Sequence, residues 1–286
     1  MAESTSTTLT ELIPNEVLQE SRLAFQKNAG ILPLVQTADL SNRPGTTAEF
    51  PVHVVATVTK PANETTDVTT SSTMDPTSVT QTVVRRTAHI DLADLAREST
   101  VEDVNVTAGR LIGNARIKQV ETDILANMTT NYTSSVGATN STAITPEQIL
   151  SALLTLKNNE ANENLVLAIS PNQEFHLLDD LVVTSSSDTD RSAEGMAATR
   201  DGVIKDLYGI RVLSTPRVST GTDTNDIYLG MLFNSKELGY TVKNIPPLIE
   251  FERDATKALT EIVMNYYDSS GRIRAAAFVL VKSQTY

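Results

Sequence analysis

The sequence has no cysteine, no tryptophan and only three histidines (His53, His89 and His176) in 286 residues. Without cysteine there are no disulfides, no thiolate metal sites and no thiol nucleophile. The three histidines lie far apart, which argues against an imidazole-built metal centre. Aromatic residues make up 5%, too few for base-stacking platforms or aromatic ligand cages. Basic residues number 23 against 35 acidic ones, a formal net charge of -12. A reader of duplex nucleic acid displaces counterions with a basic face, so this balance disfavours that class. No apolar run reaches the ~20 residues that span a bilayer. Met1–Thr10 lacks the basic and apolar regions of a secretory signal. A soluble protein made in a cytosol, with no membrane association, is expected. The Asn-x-Thr/Ser sequons at Asn63, Asn105, Asn127, Asn131 and Asn140 then read as chance in a chain where roughly one residue in seven is Thr.

What is present is patterned. Hydrophobic residues make up 40% and charged residues 20%, enough for a packed core. Residues 1–45 read as an arm: a short amphipathic helix over Leu12–Phe25, an extended stretch Ile31–Val35, and a turn at Ser41–Gly45. Such an arm needs a surface to lie on. Residues 46–60 alternate in the manner of a strand, with Phe50, Val52, Val54 and Val58 on one side. Residues 80–92 form a second strand, with Val84, Ala88, Ile90 and Leu92 on or near one face. Between them Pro61–Val79 is polar and long for a hairpin loop, so something outside its own subunit is expected to order it. Arg85 and Arg86 are sequential on a strand and must face opposite sides; one is a candidate partner for a carboxylate on another subunit, the other reading being a solvated charge.

The period of three and four over residues 100–129 predicts a long helix. Val101, Val104, Ala108, Leu111, Ile112, Ala115, Ile124, Leu125 and Met128 mark its apolar stripe, Ser99 or Thr100 its cap, and Glu102 and Asp103 its first turn. Gly109 and Gly113, four apart, imply close approach of a neighbouring sheet. A polar linker over 130–145 precedes an α/β segment. Thr145-Pro-Glu-Gln opens one helix, Leu165–Ser170 is a buried strand, and Pro171-Asn-Gln-Glu opens a second helix. Ser185–Thr199 is a small polar loop. Strands are expected in Gly202–Leu213 and Ile227–Phe233, an extended stretch at Pro247–Phe251, and a late hairpin of Glu261–Tyr267 with Arg274–Val281 turning at Asp268-Ser-Ser-Gly271.

No chemistry-bearing constellation emerges. There is no phosphate-binding glycine loop around Gly202 and Gly209, no nucleophile elbow and no paired-histidine zinc helix. Asp188, Asp190 and Glu194 lack the spacing and glycine of a calcium loop. Asp179 and Asp180 are adjacent and do not converge. His176, between Phe175 and Leu177, reads as a helix-surface or partly buried residue. No catalytic, cofactor-binding or metal-ligating residue is expected, and the chain reads as not an enzyme.

The order of these parts resembles the HK97-fold major capsid proteins of tailed bacteriophages. Thr8–Leu18 in the arm, Leu165–Gln173 and Asp201–Leu213 are the phrases that look like that family. The resemblance implies an α+β fold with an N-terminal arm (1–45) and an extended two-stranded E-loop (46–92). It implies a peripheral domain with the spine helix (93–145 and 246–286) and an α/β axial domain (146–245), whose loop at 185–200 would lie near a symmetry axis. It also implies self-assembly through pentamers and hexamers into an icosahedral shell. That shell would enclose double-stranded DNA without sequence-specific binding, in a virion assembled in the host cytoplasm. Scaffolding, portal and cement proteins are the further partners it suggests. With no long helical pro-segment before the arm, a separate scaffolding protein is expected. Some members crosslink subunits through a Lys–Asn isopeptide bond, but Pro61–Val79 contains no Lys and Lys60 lies only at its base. An encapsulin-like compartment shell and another phage structural protein, such as a tail-tube subunit, are the alternatives.

Overall fold

The computed structural model of the chain describes residues 17–25, 30–52, 77–94, 104–130, 132–137, 143–186, 204–218 and 227–284. The expected arm helix is seen over 17–25 (α1). Ile31–Val35 is not extended: Leu32–Leu34 makes a 3-10 turn with Pro33 in it, where the fixed φ of proline fits. Strand β1 (Gln36–Asp39) follows, then β2 (Thr47–Val52). The single strand expected over 80–92 is two, β3 (Thr77–Thr82) and β4 (Val84–Ala93). At Val83, whose N–H donates to the Thr46 carbonyl, the chain leaves one sheet for another. Val54 and Val58, most of Pro61–Val79, the expected cap Ser99 or Thr100 with Glu102 and Asp103, and the expected loop with Asp188, Asp190 and Glu194 lie outside the described residues.

Helix α2 (Val104–Thr130) has 27 residues, a length of about 40 Å. Its buried stripe includes Ala108, Ile112, Ile117, Val120, Ile124, Leu125 and Met128. Leu111 and Ala115, assigned to that stripe from sequence, are exposed, and Arg116 and Glu121 are buried in it instead. After β5 (Ser134–Val136), α3 (Pro146–Asn158) starts on a capping box in which Thr145 and Gln148 satisfy each other's backbone N–H. Strand β6 (Leu165–Ile169) leads to α4 (Pro171–Ser186), whose Ser170 and Gln173 exchange the same pair of bonds. Then come β7 (Asp206–Leu207) and β8 (Ile210–Ser214), joined through Tyr208 and Gly209, both at positive φ. Two positive-φ residues between paired strands are the geometry that matches the strand twist.

Strands β9 (Ile227–Asn234), β10 (Leu238–Asp254), β11 (Leu259–Arg272) and β12 (Phe278–Gln284) complete the chain. The expected late hairpin does not form. Asp268–Gly271 lies inside β11, paired to β10, and β12 pairs with β9. The true hairpin is β10–β11, closed by the Asp254 turn. There the Thr256 hydroxyl donates to Asp254 Oδ1 at 2.6 Å, Lys257 Nζ lies 3.2 Å from Oδ2, and the backbone N–H groups of Lys257 and Thr256 also donate to Oδ1. The Thr256 hydroxyl first, then Lys257, hold the carboxyl down to about 2. Pro246 and Pro247 fall where the β10 register is interrupted between Lys243 and Leu248; proline lacks the N–H a ladder needs.

The described residues form three sheets. One has four strands in the order β1-β10-β11-β4, one six in the order β5-β12-β9-β6-β8-β7, and one is the β2–β3 pair alone. The six-stranded sheet carries the largest core. Phe233 and Phe278 stack at 6.1 Å between ring centres, and Ile149, Ala152 and Leu156 from α3 join them with Leu177 from α4. Against the four-stranded sheet, α2 packs a smaller cluster of Ala108, Ile112, Ile262, Met264 and Tyr266.

Candidate functional site

The neighbour that Gly109 and Gly113 admit is a helix, α1, not a sheet. A Cβ on Gly109 would stand 2.8 Å from the Val17 carbonyl oxygen, and one on Gly113 would run into that of Ser21. Val17 is fully buried there, and Arg110 Nε pairs with Glu20 at 3.1 Å. The next stretch is tied down by Glu121, whose Oε1 accepts from Gly30 N at 2.6 Å and Ile31 N at 3.2 Å. Its other oxygen pairs with Arg217, whose pKa burial pulls down. Residues 17–25 and 30–39 are therefore fixed on their own subunit, on α2 and the edge of β10.

Between α2 and the four-stranded sheet sits a group of charges. Arg86 Nε donates to Asp268 Oδ1 at 2.6 Å and its Nη2 reaches Asp123 Oδ2 at 2.5 Å. Tyr240 Oη donates to the other Asp268 oxygen at 3.3 Å. The Arg116 guanidinium, 4.3 Å from the Phe25 ring centre and 4.9 Å from that of Tyr266, lies between two aromatic faces. Burial raises the Asp268 pKa, while the Arg86 bond and the charges of Arg86 and Arg116 oppose it. Burial also lowers that of Arg86, but there Asp268 and Asp123 outweigh it and the net shift is upward. The difference follows exposure: the Asp268 side chain is 3% exposed, that of Arg86 28%. Burial pushes the Tyr266 phenol up to about 12, with the Asp268 charge adding to it. Arg85 and Arg86 face opposite sides, as alternation requires. The carboxylates Arg86 meets belong to its own chain, not to another subunit, while Arg85 bonds Asn265.

On the other face of the same sheet lies the base of the β2–β3 hairpin. In β10, Tyr240 points toward α2, so its neighbours Gly239 and Thr241 point away. Gly239 is paired with Gly271 of β11. A Cβ on Gly239 would be 2.6 Å from Gln81 Nε2 and 3.0 Å from the Phe50 ring. The two glycines thus make a flat seat for Phe50 and Gln81, which are 3% and 5% exposed. Gln81 Nε2 donates to the Gly271 carbonyl at 3.0 Å, and its Oε1 accepts from Thr241 Oγ1 at 3.1 Å. Ala48, Val83, Leu40 and Ile273 complete this cluster.

One group of possible metal ligands occurs among the described residues: His89, Asp91 and Glu261, with ligand atoms within 4.8 Å of one another. His89 and Asp91 are exposed, and Lys257 is close enough to feel the charges of Glu261 and Asp91, so this is a solvated, partly balanced surface cluster. Asp179 is exposed on α4, and half-buried His176 stands edge-on to Phe175. No helix among the described residues is long and apolar enough to cross a membrane.

Residues 86–279 match the profile of a family described as phage capsid protein. The chain belongs to that family. It is a structural shell protein and not an enzyme. The solved structures agree on the fold. A protein of Mycobacterium phage Che8 superposes with a TM-score of 0.68 at 17% identity, over 89% of this chain and 91% of that one. The capsid structure of cyanophage P-SCSP1u gives 0.66 at 16%, over 90% and 89%. A virus-like particle from Pyrococcus furiosus gives 0.60 at 11%, over 93% and 98%. No curated protein sequence matches the chain. This capsid protein has the HK97-like fold expected from its sequence. Sequence reasoning misses Gln81, Arg116, Glu121 and the Gly239–Gly271 pair; of these only Gly271 carries a signal, that of a turn.

Proposed function

We propose that this capsid protein is the major building block of an icosahedral shell, assembled through pentamers and hexamers of itself around phage double-stranded DNA. The observation that carries this reading, beyond the family, is the β2–β3 hairpin. It is a two-stranded sheet fixed to the subunit only at its base among the described residues. Such a ribbon is marginal alone, and its outer strand edges call for a partner. In this reading 46–92 is the E-loop lying across a neighbour, and 1–45 the arm, of which 17–25 and 30–39 stay on their own subunit. Residues 93–145 and 246–286 form the peripheral part around α2, and 146–245 the axial part. Many modest contacts of this kind sum through multivalency, and closed symmetry limits their growth. The net charge of -12 keeps attraction to the genome weak, so that DNA is packed without sequence-specific binding and can leave. Scaffolding, portal and cement proteins act as partners, and assembly takes place in the host cytoplasm before the protein resides in the virion.

The test is negative-stain microscopy of the particle-sized fraction from a sucrose gradient, with the protein expressed alone and with its neighbouring genes. Closed shells or aberrant spiral shells are expected; a persistent small oligomer under both conditions would overturn the reading. The likeness to the Pyrococcus furiosus virus-like particle favours one second reading, a compartment shell. It predicts purified particles that hold a protein cargo and no DNA.

A further inference from the structure

The hairpin and the body of the subunit are joined by two kinds of contact. Phe50 supplies apolar burial on the glycine seat, which is adhesive but has no preferred direction. Gln81 supplies the only polar side-chain bonds from β2 or β3 to β10 and β11 among those described, one to each strand. Hydrogen bonds weaken steeply off axis. An amide held at both ends therefore fixes an angle as well as a distance. Its location matters too. Gln81 lies two residues before Val83, where the chain passes from the hairpin into β4. Without the amide, the backbone bond from Val83 to Thr46, the small cluster around Phe50 and the exposed bond from Lys243 Nζ to the Gly45 carbonyl would remain at that pivot.

We propose that Gln81 is the positioning residue of assembly: its amide, wedged over Gly239 and Gly271, sets the direction in which the β2–β3 hairpin leaves the subunit and so where it meets a second copy of this chain. The inference rests on the shell reading above. The side chain is built for that use. It is long enough to cross the seat, it is neutral, and both of its ends are satisfied where water is excluded. Removing the amide leaves the Gly271 carbonyl without this donor and the Thr241 hydroxyl without this acceptor, which shifts the docked-to-undocked balance of the hairpin by about tenfold or more.

The test compares wild type, Gln81→Met and Thr241→Val. Gln81→Met keeps length and apolar bulk and removes both bonds; Thr241→Val removes one. Three quantities are read: the fraction and diameter of closed particles by microscopy and sedimentation, the thermal midpoint of the unassembled subunit, and hydrogen exchange at the amides of 47–52 and 77–82. The expected result for Gln81→Met is fast exchange confined to those amides and a thermal midpoint close to wild type. Closed shells give way to open or aberrant ones, and Thr241→Val moves the same way by less. Should Gln81→Met be insoluble, Thr241→Val alone decides by the same readings. Closed shells of normal diameter from both variants would overturn the proposal. So would a lower midpoint and yield with normal shells, which is what a merely structural role gives. Failure of the wild type to form any shell would instead overturn the shell reading.

Discussion

In the six-stranded sheet, Phe233 and Phe278 stack among aliphatic side chains. Gln173 is a fully buried polar residue there, donating to Ser283 Oγ at 2.8 Å. Between α2 and the four-stranded sheet, Arg86, Asp268, Arg116, Asp123, Tyr240 and Tyr266 meet beside the smaller apolar cluster of Ile112, Ile262 and Met264. Apolar packing is non-directional and tolerates a reshuffled core of the same volume. A buried ion pair adds little net stability, but losing one partner strands the other. The first region is thus held by volume and the second by geometry. In the proposed shell that division suits a subunit in which the six-stranded part supplies stability and the four-stranded part presents the hairpin at a fixed angle.

The largest expected effect tests the first region. Phe278→Ala should cost about 3–5 kcal/mol, read as a lower urea midpoint. A loss under ~1 kcal/mol would mean that the stacked pair does not anchor this core. Next, Arg86→Met should cost about 3–5 kcal/mol by leaving Asp268 buried without its guanidinium. Adding Asp268→Asn should recover much of that loss, a coupling that a double-mutant cycle measures. Additive costs would place the two residues in separate environments.

These two regions were not equally legible in the sequence. The six-stranded part is written locally: capping boxes at Thr145 and Ser170, an apolar run at Leu165–Ile169, and the three-and-four spacing of Ile149, Ala152 and Leu156 in α3 each carry their own signal. The four-stranded part depends on residues about 180 apart in the chain, such as Arg86 with Asp268 and Gln81 with Gly271. Nothing near Gln81 marks it as buried, because its strand is a polar, Thr-rich stretch. Asp268-Ser-Ser-Gly271 was misread for the same reason. Small residues signal either a turn or a close approach, and here the seat for Gln81 and Phe50 decides. Glu121 likewise carries no local mark of its burial, because its partners Gly30, Ile31 and Arg217 are each about 90 residues or more away in the chain.

A smaller effect is expected where the arm meets α2. Gly113→Ala should force α1 off its groove, because the added methyl meets the Ser21 carbonyl. The cost should be about 1–3 kcal/mol, with faster hydrogen exchange in 17–25 and little change in the six-stranded sheet. Uniform destabilisation would contradict a local seat.

The smallest effect sharpens the contrast by pH. Burial raises the pKa of Asp268, so the folded state binds this proton more tightly than the unfolded state. Its contribution to stability is then fully present below the ordinary carboxylate value of about 3.9 and is lost as pH rises through the raised folded value. The stability difference between wild type and Asp268→Asn should therefore fall with rising pH across that window and stay flat outside it. A difference that rises with pH would show Asp268 stabilised as the anion instead.

The most direct test of the account is a cryo-electron microscopy reconstruction of particles purified from expressing cells, at a resolution that traces strands. The account predicts a closed icosahedral shell in which β2 and β3 of each subunit lie on a neighbouring copy, with Gln81 still seated over Gly239 and Gly271. A shell whose hairpins touch only their own subunit, or a protein that never leaves the small-oligomer fraction, would contradict it.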